Sequence, residues 1–401
     1  MKPFGALLSF EEAVRIIDAN IEQITRVETI SISDCLHRVL AQDIIASRST
    51  PPFDRAAVDG YALKAKDTFG TSRQNPGMLK IIGVIYAGEM PELKLATGEC
   101  AQIATGAKMP RGADAVVMVE DVNHEDGQIK VIKPVYPKAN IAPIGEDIKK
   151  GELVLKEGIF LSPANVGVLA SQGITRVSVY EKPGVAVIPT GEEIGEVGQK
   201  LKQAQIYDIN SHTVGAVVRE NGCQPSRLGI IGDTPGAIKA AIEAGLKADM
   251  VVFTGGSSVG ERDLLFGILE EMGEVLFHGI QIKPGKPTMF GKIKGKPIFG
   301  MPGYPTSCLI NAYILLLPAL RKMSGLPVKR NVTVNATLGE KVPGSTGRKQ
   351  FLPVRIGEEI AFPIFKQSGA ITGTAKADGY IVIDENIDIM EKEHPVTVTL
   401  F

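Results

Sequence analysis

Apolar and polar positions change rhythm several times along this chain, and each rhythm predicts a different kind of structure. Behind Ser9 and Glu12, a capping-box pair, Ala13, Val14, Ile16, Ile17, Ile21 and Ile24 recur at helical spacing. That predicts a helix over about 10–23. Residues 27–47 read as a short strand, a helix capped by Ser33 or Asp34, and a connector. From about 48 to 140 short β-like runs dominate, at Leu79–Tyr86, Ala101–Ala104, Ala115–Val119 and Gln128–Pro134. Gly and Pro separate them, so the stretch reads as a β-rich insert. Ser162 and Pro163 then open a helix as N-cap and first helical residue, and Gly173 closes it. Thr175–Tyr180 alternates as a strand.

Over residues 182–326 strands alternate with helices. Gly184–Pro189, Arg227–Ile231, Met250–Thr254 and Pro297–Gly300 are near-continuous apolar runs. Helices are expected from Asn210–Ser211, from Thr234–Pro235, over Arg262–Met272 and over Pro305–Met323. Strands apolar on both sides, each followed by a helix, predict a parallel sheet covered on both faces, a doubly wound α/β domain. Over residues 327–401 alternation returns, in Val332, Val334 and Ala336 and in Val396, Val398 and Leu400. With Phe351–Ile356, Ile360–Phe365 and Tyr380–Asp384 it predicts a small β-barrel.

The length of 401 residues suggests about three domains. Lys plus Arg number 44 and Asp plus Glu 45, for a net charge of −1. That balance argues against nucleic-acid or anionic-membrane partners. The cysteines at 35, 100, 223 and 308 form no CxxC pair and read as reduced thiols of a cytoplasmic protein. No cationic and apolar leader opens the chain. The apolar stretch Leu309–Leu320 contains Asn311 and Pro318 and falls short of the ~20 residues a bilayer requires. The five histidines are isolated, without zinc spacing.

Ligands of open α/β sheets bind beyond the carboxyl ends of the strands. The segments that follow the expected strands are Thr190-Gly-Glu-Glu193, Gly232-Asp233-Thr-Pro, Thr254-Gly-Gly-Ser-Ser-Val-Gly260-Glu-Arg-Asp263 and Gly300-Met-Pro-Gly-Tyr-Pro-Thr-Ser307. All offer acids, glycines or hydroxyls and should share one sheet edge. The Thr254–Gly260 loop leads into a helix, and its small residues would let the backbone approach a phosphate. It matches neither GxGxxG nor GxxxxGK[ST]. An acid beside a phosphate site needs a hard cation between them, and Asp263, Asp233 and Glu193 are the candidates. Lys283 and Lys286, in the proline-stiffened turn Ile282–Pro287, read as an anion clamp.

Taken together, PPFDRAAVDGYAL, IATGAKMPRGADAVVMVE, GEDIKKGE, TGEEI, YDIN, GDTP, TGGSSVGERD, IKPGKP and GMPGYPTS occur in the order found in molybdopterin molybdenumtransferases, the enzyme that also forms the C-terminal part of gephyrin. The chain resembles that family over nearly its whole length. The resemblance implies a discontinuous α/β domain (1–47 and 141–181), a β-rich inserted domain (48–140), a doubly wound molybdopterin-binding domain (182–326) and a C-terminal β-barrel (327–401). It implies a homodimer whose active site combines two chains. It also implies a reaction that takes adenylylated molybdopterin and molybdate, releases AMP and uses Mg2+ or another divalent cation. A molybdopterin adenylyltransferase would be the upstream partner. Carried over by motif, Asp263, Asp233, Glu193 and Asp59 are the catalytic acids, the first three also holding the metal. Thr105, Asp147, Gly255, Gly256, Ser257, Ser258, Lys283, Lys286, Pro302, Ser307, Arg348 and Ser368 bind substrate.

Two departures stand out. Where the family commonly places arginines before GED, this chain has Ala142, Pro143 and Ile144, and it has Gly279 where well-known bacterial members have a lysine. Arg348, Lys138 or Lys149 would substitute, or anion affinity would be weaker. The alternatives are a non-catalytic molybdopterin carrier or scaffold, a tungstate-using paralogue, and another molybdopterin-domain enzyme such as a pterin adenylyltransferase or a competence-type nucleotide amidase. The long β-rich N-terminal half argues against the last.

Overall fold

The computed structural model describes residues 7–255 and 264–401. They form two compact units. One holds the chain through Glu28, His37–Val39 and Ser178–Phe401; the other holds Thr29–Leu36 and Leu40–Val177.

The centre of the first unit is a six-stranded sheet. Its order is Gln224–Arg227, Gly184–Pro189, Met250–Thr254, Lys296–Met301, Met289–Ile293 and Glu274–His278. The first four strands are parallel; Met289–Ile293 runs antiparallel to them, and Glu274–His278, antiparallel to it, runs parallel again. The expected parallel sheet is therefore extended by a hairpin that apolar runs alone did not reveal. Strand side chains alternate between faces, and helices cover both. Val185, Val187, Val252 and Phe299 pack on one face with Val214 and Val218 of the helix Asn210–Glu220 and with Leu316 and Leu320. Ala186, Ile188, Val251 and Phe253 pack on the other with Ile238, Ile242, Leu265 and Leu269. This is the doubly wound arrangement.

Several local readings change. The N-terminal helix is Phe10–Ala19, shorter than expected, with both capping-box bonds made by Ser9 and Glu12. The helix expected after Ser33 is instead a 3-10 turn, Ile32–Asp34, capped by Ser31. The second strand lies at Gln224–Arg227, before the apolar run; it is an edge strand, which is where its Pro225 is tolerated. The side chain of Asn210 does not cap the helix it opens. Asp208 does so, accepting from the Ser211 N–H at 3.1 Å. Pro305–Met323 is helical throughout but relaxes into a π segment at Ala312–Leu316.

The same unit carries the barrel. Lys349–Gly357, Ile360–Pro363, Thr333–Leu338, Pro395–Leu400 and Gly379–Ile383 pair in that order, and the last pairs back with the first, closing five strands. Closure leaves no free edge within the ring. Leu338, Val354, Ile381, Ile383 and Val398 fill the interior.

The second unit is built on another six-stranded sheet. Its order is Ala115–Met118, Gly60–Leu63, Glu99–Ile103, Gly77–Ile85, Gln128–Val131 and Val122–Glu125. Gly60–Leu63 is buried at all four positions. Tyr61 and Leu63 join one apolar cluster and Ala62 another. Gly60 is obligatory: a Cβ there would lie 1.9 Å from the Val117 carbonyl oxygen.

Candidate active site

In the first unit, one row of paired residues, His278, Met289, Gly300, Phe253 and Ile188, crosses the sheet. Everything just beyond that row lies on the carboxyl edge. There stand the turn after His278, the loop after Met301, the loop after Thr254 and the loop after Pro189.

The backbone ties these loops together. Thr190 N–H donates to the Thr254 carbonyl at 3.1 Å, and Gly255 N–H donates to the Met301 carbonyl at 3.1 Å. Gly255 has φ +102°, and a Cβ on it would lie 2.6 Å from the Thr190 carbonyl oxygen. The backbone there can be approached closely only because no side chain intervenes. Asn210, 8 % exposed, donates from Nδ2 to the Gly303 carbonyl at 2.7 Å. The YDIN motif thus braces the GMPGYPTS loop, a role its sequence did not disclose.

Among the described residues, three buried polar atoms at this edge have no hydrogen-bond partner: Thr190 Oγ1, Thr254 Oγ1 and Asn210 Oδ1. Such groups cost about 1–3 kcal/mol each when left unsatisfied. An edge that gathers three of them offers donors and acceptors to a polar ligand.

The acids follow. The Glu193 carboxylate folds back over Gly191, within 2.5–2.7 Å of where a Cβ would be. Asp233 stands near enough to feel it. Burial first, then the charges of Glu193 and Glu192, push the Asp233 carboxyl above its ordinary 3.8. Asp263, Gly256, Ser257 and Ser258 lie outside the described residues. Among the described residues no three metal-ligating side chains cluster. The carboxylate pair Glu193 and Asp233 is nevertheless a donor set suited to a hard divalent cation, which would relieve its repulsion.

The lysine turn, Gly279–Thr288, is closed by Gly279 N–H to the Thr288 carbonyl at 2.9 Å and Ile280 N–H to the Lys286 carbonyl at 3.0 Å. Ile282–Lys283 pairs with the barrel strand Lys349–Gly357, Ile282 opposite Lys349. Arg348 lies one residue ahead of that ladder, and its N–H donates to the Ser345 carbonyl at 2.9 Å. Ser307 is buried beyond Pro302. The Ser368 carbonyl accepts from Thr306 N–H at 2.9 Å, so Ser368 borders the same loop.

In the second unit, three motif segments converge. Arg55–Ala56 pairs with Ile141–Ala142. Thr105 N–H donates to Asp59 Oδ1 at 2.7 Å. That backbone bond, then the Thr105 side chain, holds the exposed Asp59 carboxyl below its ordinary value. Asp147 N–H donates to the Thr50 carbonyl at 3.0 Å, and Ile144 N–H to Asp54 Oδ1 at 2.7 Å. Asp59, Thr105 and Asp147 thus come from loops that are hydrogen-bonded to one another or share a short ladder. Asp59→Asn is expected to speed hydrogen exchange at the Thr105 amide, read by NMR or mass spectrometry; unchanged protection there would contradict this anchoring.

A doubly wound α/β domain with polar loops gathered at its carboxyl edge, joined to a β-barrel and accompanied by a β-rich unit, defines a multidomain enzyme of the molybdopterin-binding class. Three family models match in series: the MoeA N-terminal region (domain I and II) at residues 8–173, the "Probable molybdopterin binding domain" at 186–322 and the MoeA C-terminal region (domain IV) at 335–401. The molybdopterin molybdenumtransferase of Bacillus subtilis is 32 % identical over 401 residues, 97 % of this chain and 93 % of its own length. That of Haemophilus influenzae is 39 % identical over 303 residues, 75 % of this chain and 74 % of its own. A crystal structure of a molybdopterin biosynthesis MoeA protein from Pyrococcus horikosii superposes with TM-score 0.84 at 42 % identity, covering 98 % of this chain and 99 % of that one. The chain belongs to the MoeA family of molybdopterin molybdenumtransferases.

Proposed function

We propose that this chain inserts molybdenum from molybdate into adenylylated molybdopterin and releases AMP, completing molybdenum cofactor biosynthesis. The observation that carries the reading is the carboxyl edge itself. Three buried, unpartnered polar atoms stand on the same edge as a repelling carboxylate pair and a lysine turn. A pterin offers donors and acceptors for the first. A pyrophosphate would be met by the loop that follows Gly255, through Gly256, Ser257 and Ser258. Lys283, Lys286 and Arg348 form the clamp for the tetrahedral oxyanion, with Pro302, Ser307 and Ser368 at its border.

Glu193, Asp233 and Asp263 would hold a Mg2+ or similar divalent ion, which when bound neutralises phosphate charge. The residues of this chain would orient the anhydride. Asp59, Thr105 and Asp147 complete the site from the partner chain of a homodimer. We assign 1–47 with 141–181, 48–140, 182–326 and 327–401 as the four domains, and the cytoplasm as the location. Among the described residues no helix is long and apolar enough to cross a membrane, and the four cysteines are free and buried. A molybdopterin adenylyltransferase would supply the substrate.

A second reading, a carrier or scaffold that keeps the pocket without turnover, is favoured by the departures from the family pattern. Ala142 is buried and Ile144 is 57 % exposed, so neither offers an anion contact. Gly279 has φ +99°, a conformation that disfavours a lysine in its place. Purified chain mixed with adenylylated pterin should release AMP when molybdate is added and release less with tungstate. Faster release with tungstate would reassign the oxyanion, and tight pterin binding without release would favour the carrier.

A further inference from the structure

Asn311 belongs to none of the motif segments, and its helix reads as plain core. Yet it is fully buried and polar, and it sits where the helix changes character. The α-helical segment Pro305–Asn311 ends on it and the π segment Ala312–Leu316 begins after it. Short π segments widen a helix by one residue and recur at functional sites.

Its amide is committed to the lysine turn. Nδ2 donates to the Gly285 carbonyl at 3.1 Å and to Thr288 Oγ1 at 2.5 Å. Thr288 Oγ1, also fully buried, donates in turn to the Gly285 carbonyl at 2.8 Å. Both amide hydrogens and the hydroxyl hydrogen are thus spent on one three-membered network. Gly285 has φ +99°, and a Cβ there would fall 2.3 Å from Asn311 Nδ2 and 2.5 Å from Oδ1. The amide is packed so closely on Gly285 that the turn has no room for a side chain there. Among the described residues Oδ1 has no donor, a cost that accompanies this contact.

We infer that Asn311, acting through Gly285 and Thr288, is the positioning residue that fixes where Lys283 and Lys286 present their ammonium groups. This rests on the proposed role of the lysine turn in oxyanion binding. Lysine is a flexible, strongly hydrated point charge, so its use as a clamp depends on the rigidity of the backbone that carries it. Here the rigidity comes from a helix on the far side of the turn rather than from the turn's own prolines alone.

The test compares Asn311→Ala, Thr288→Val and Thr288→Ser with the parent in molybdate-dependent AMP release. Asn311→Ala and Thr288→Val are expected to raise the KM for molybdate about tenfold or more, because misplacing a positioned group by a fraction of an ångström is felt at the bound ion. The KM for adenylylated pterin should stay within about twofold and Thr288→Ser should act like the parent, a split that general loss of folding does not produce. An unchanged molybdate KM in Thr288→Val, or both KM values rising together, overturns the assignment, and Thr288→Val decides alone if Asn311→Ala does not fold. Should the parent itself release no AMP, the proposed function fails. The inference is then read from hydrogen exchange at the Gly279 and Ile280 amides, which accelerates in the two variants if Asn311 holds the turn and is unchanged if it does not.

Discussion

Asp233→Asn should cut molybdate-dependent AMP release by at least about 100-fold in kcat/KM while leaving the melting temperature unchanged or slightly higher. Loss of activity with retained stability separates a functional carboxylate from a structural one. Burial and the neighbouring Glu193 and Glu192 raise the Asp233 carboxyl above 3.8, so its charged form is disfavoured in the folded chain. The contribution of that group to stability is therefore fully present below 3.8 and is lost as pH rises through its folded value. The parent should lose stability relative to Asp233→Asn across that window and keep a constant deficit above it. The Asp233 side chain is shielded on one side by neighbouring loops yet keeps contact with solvent, so solvent screening keeps the difference small. A clear fall in melting temperature for the variant at neutral pH, or full activity, would end this assignment. A carboxylate retained against its own repulsion has a use in the bound state, and neutralising an anionic substrate through a cation is the use this edge suggests.

Sequence alone gave Gly184–Pro189 and Met250–Thr254 with the bounds they have in the fold. Both are central strands, and burial on two faces writes itself as an uninterrupted apolar run. The edge strand Gln224–Arg227 has one strand partner and a polar composition, so the eye moves to the apolar residues after it. Gly60–Leu63 was hidden for a different reason. Asp-Gly is a turn signal, but here the glycine serves a close approach by the Val117 carbonyl rather than a bend. The hairpin Glu274–His278 and Met289–Ile293 was masked by glycines and by its mixed polarity.

The site was legible in parts. Strand order puts Glu193, Asp233, Gly255 and Pro302 on one edge, and the rule for open α/β sheets anticipates that from position alone. Asp59 and Thr105, 46 residues apart, could be joined only by likeness to a family, since a single hydrogen bond between loops leaves no periodic trace. Asn210 reads in the sequence as a helix cap and part of YDIN, without its bond to the Gly303 loop, and Asn311 escapes notice because its helix neighbours are apolar. The available signal was the polar residue itself. A buried amide in an otherwise apolar stretch must satisfy its hydrogens somewhere, and here both do so on loops of the site.

The ion-pair network around the buried Asp208 carboxylate is a sensitive point for the stability of this unit. Arg227→Met is expected to destabilise the chain by about 3–5 kcal/mol, because it strands a buried carboxylate. The Asp208 side chain is 2 % exposed and Arg227 is 26 % exposed. Arg227 donates from Nη2 to Asp208 at 2.8 Å, from Nη1 to Glu196 at 2.7 Å and from Nε to Ser211 Oγ at 2.6 Å. Burial opposes the guanidinium charge, and the bonds to Glu196 and Asp208 outweigh it, so its pKa is raised. Without the arginine, Asp208 keeps only the Ser211 amide and hydroxyl as donors. Adding Asp208→Asn to Arg227→Met should therefore recover more than about 1 kcal/mol, a coupling that independent sites do not show. Denaturant unfolding of the two single variants and the double measures it, and additive costs would refute the pairing. Because Asp208 caps the helix that carries Asn210, and Asn210 holds the Gly303 carbonyl, Arg227→Met should also lower activity in whatever fraction stays folded. The Asp208→Asn single variant keeps the cap's shape and should lose less of both.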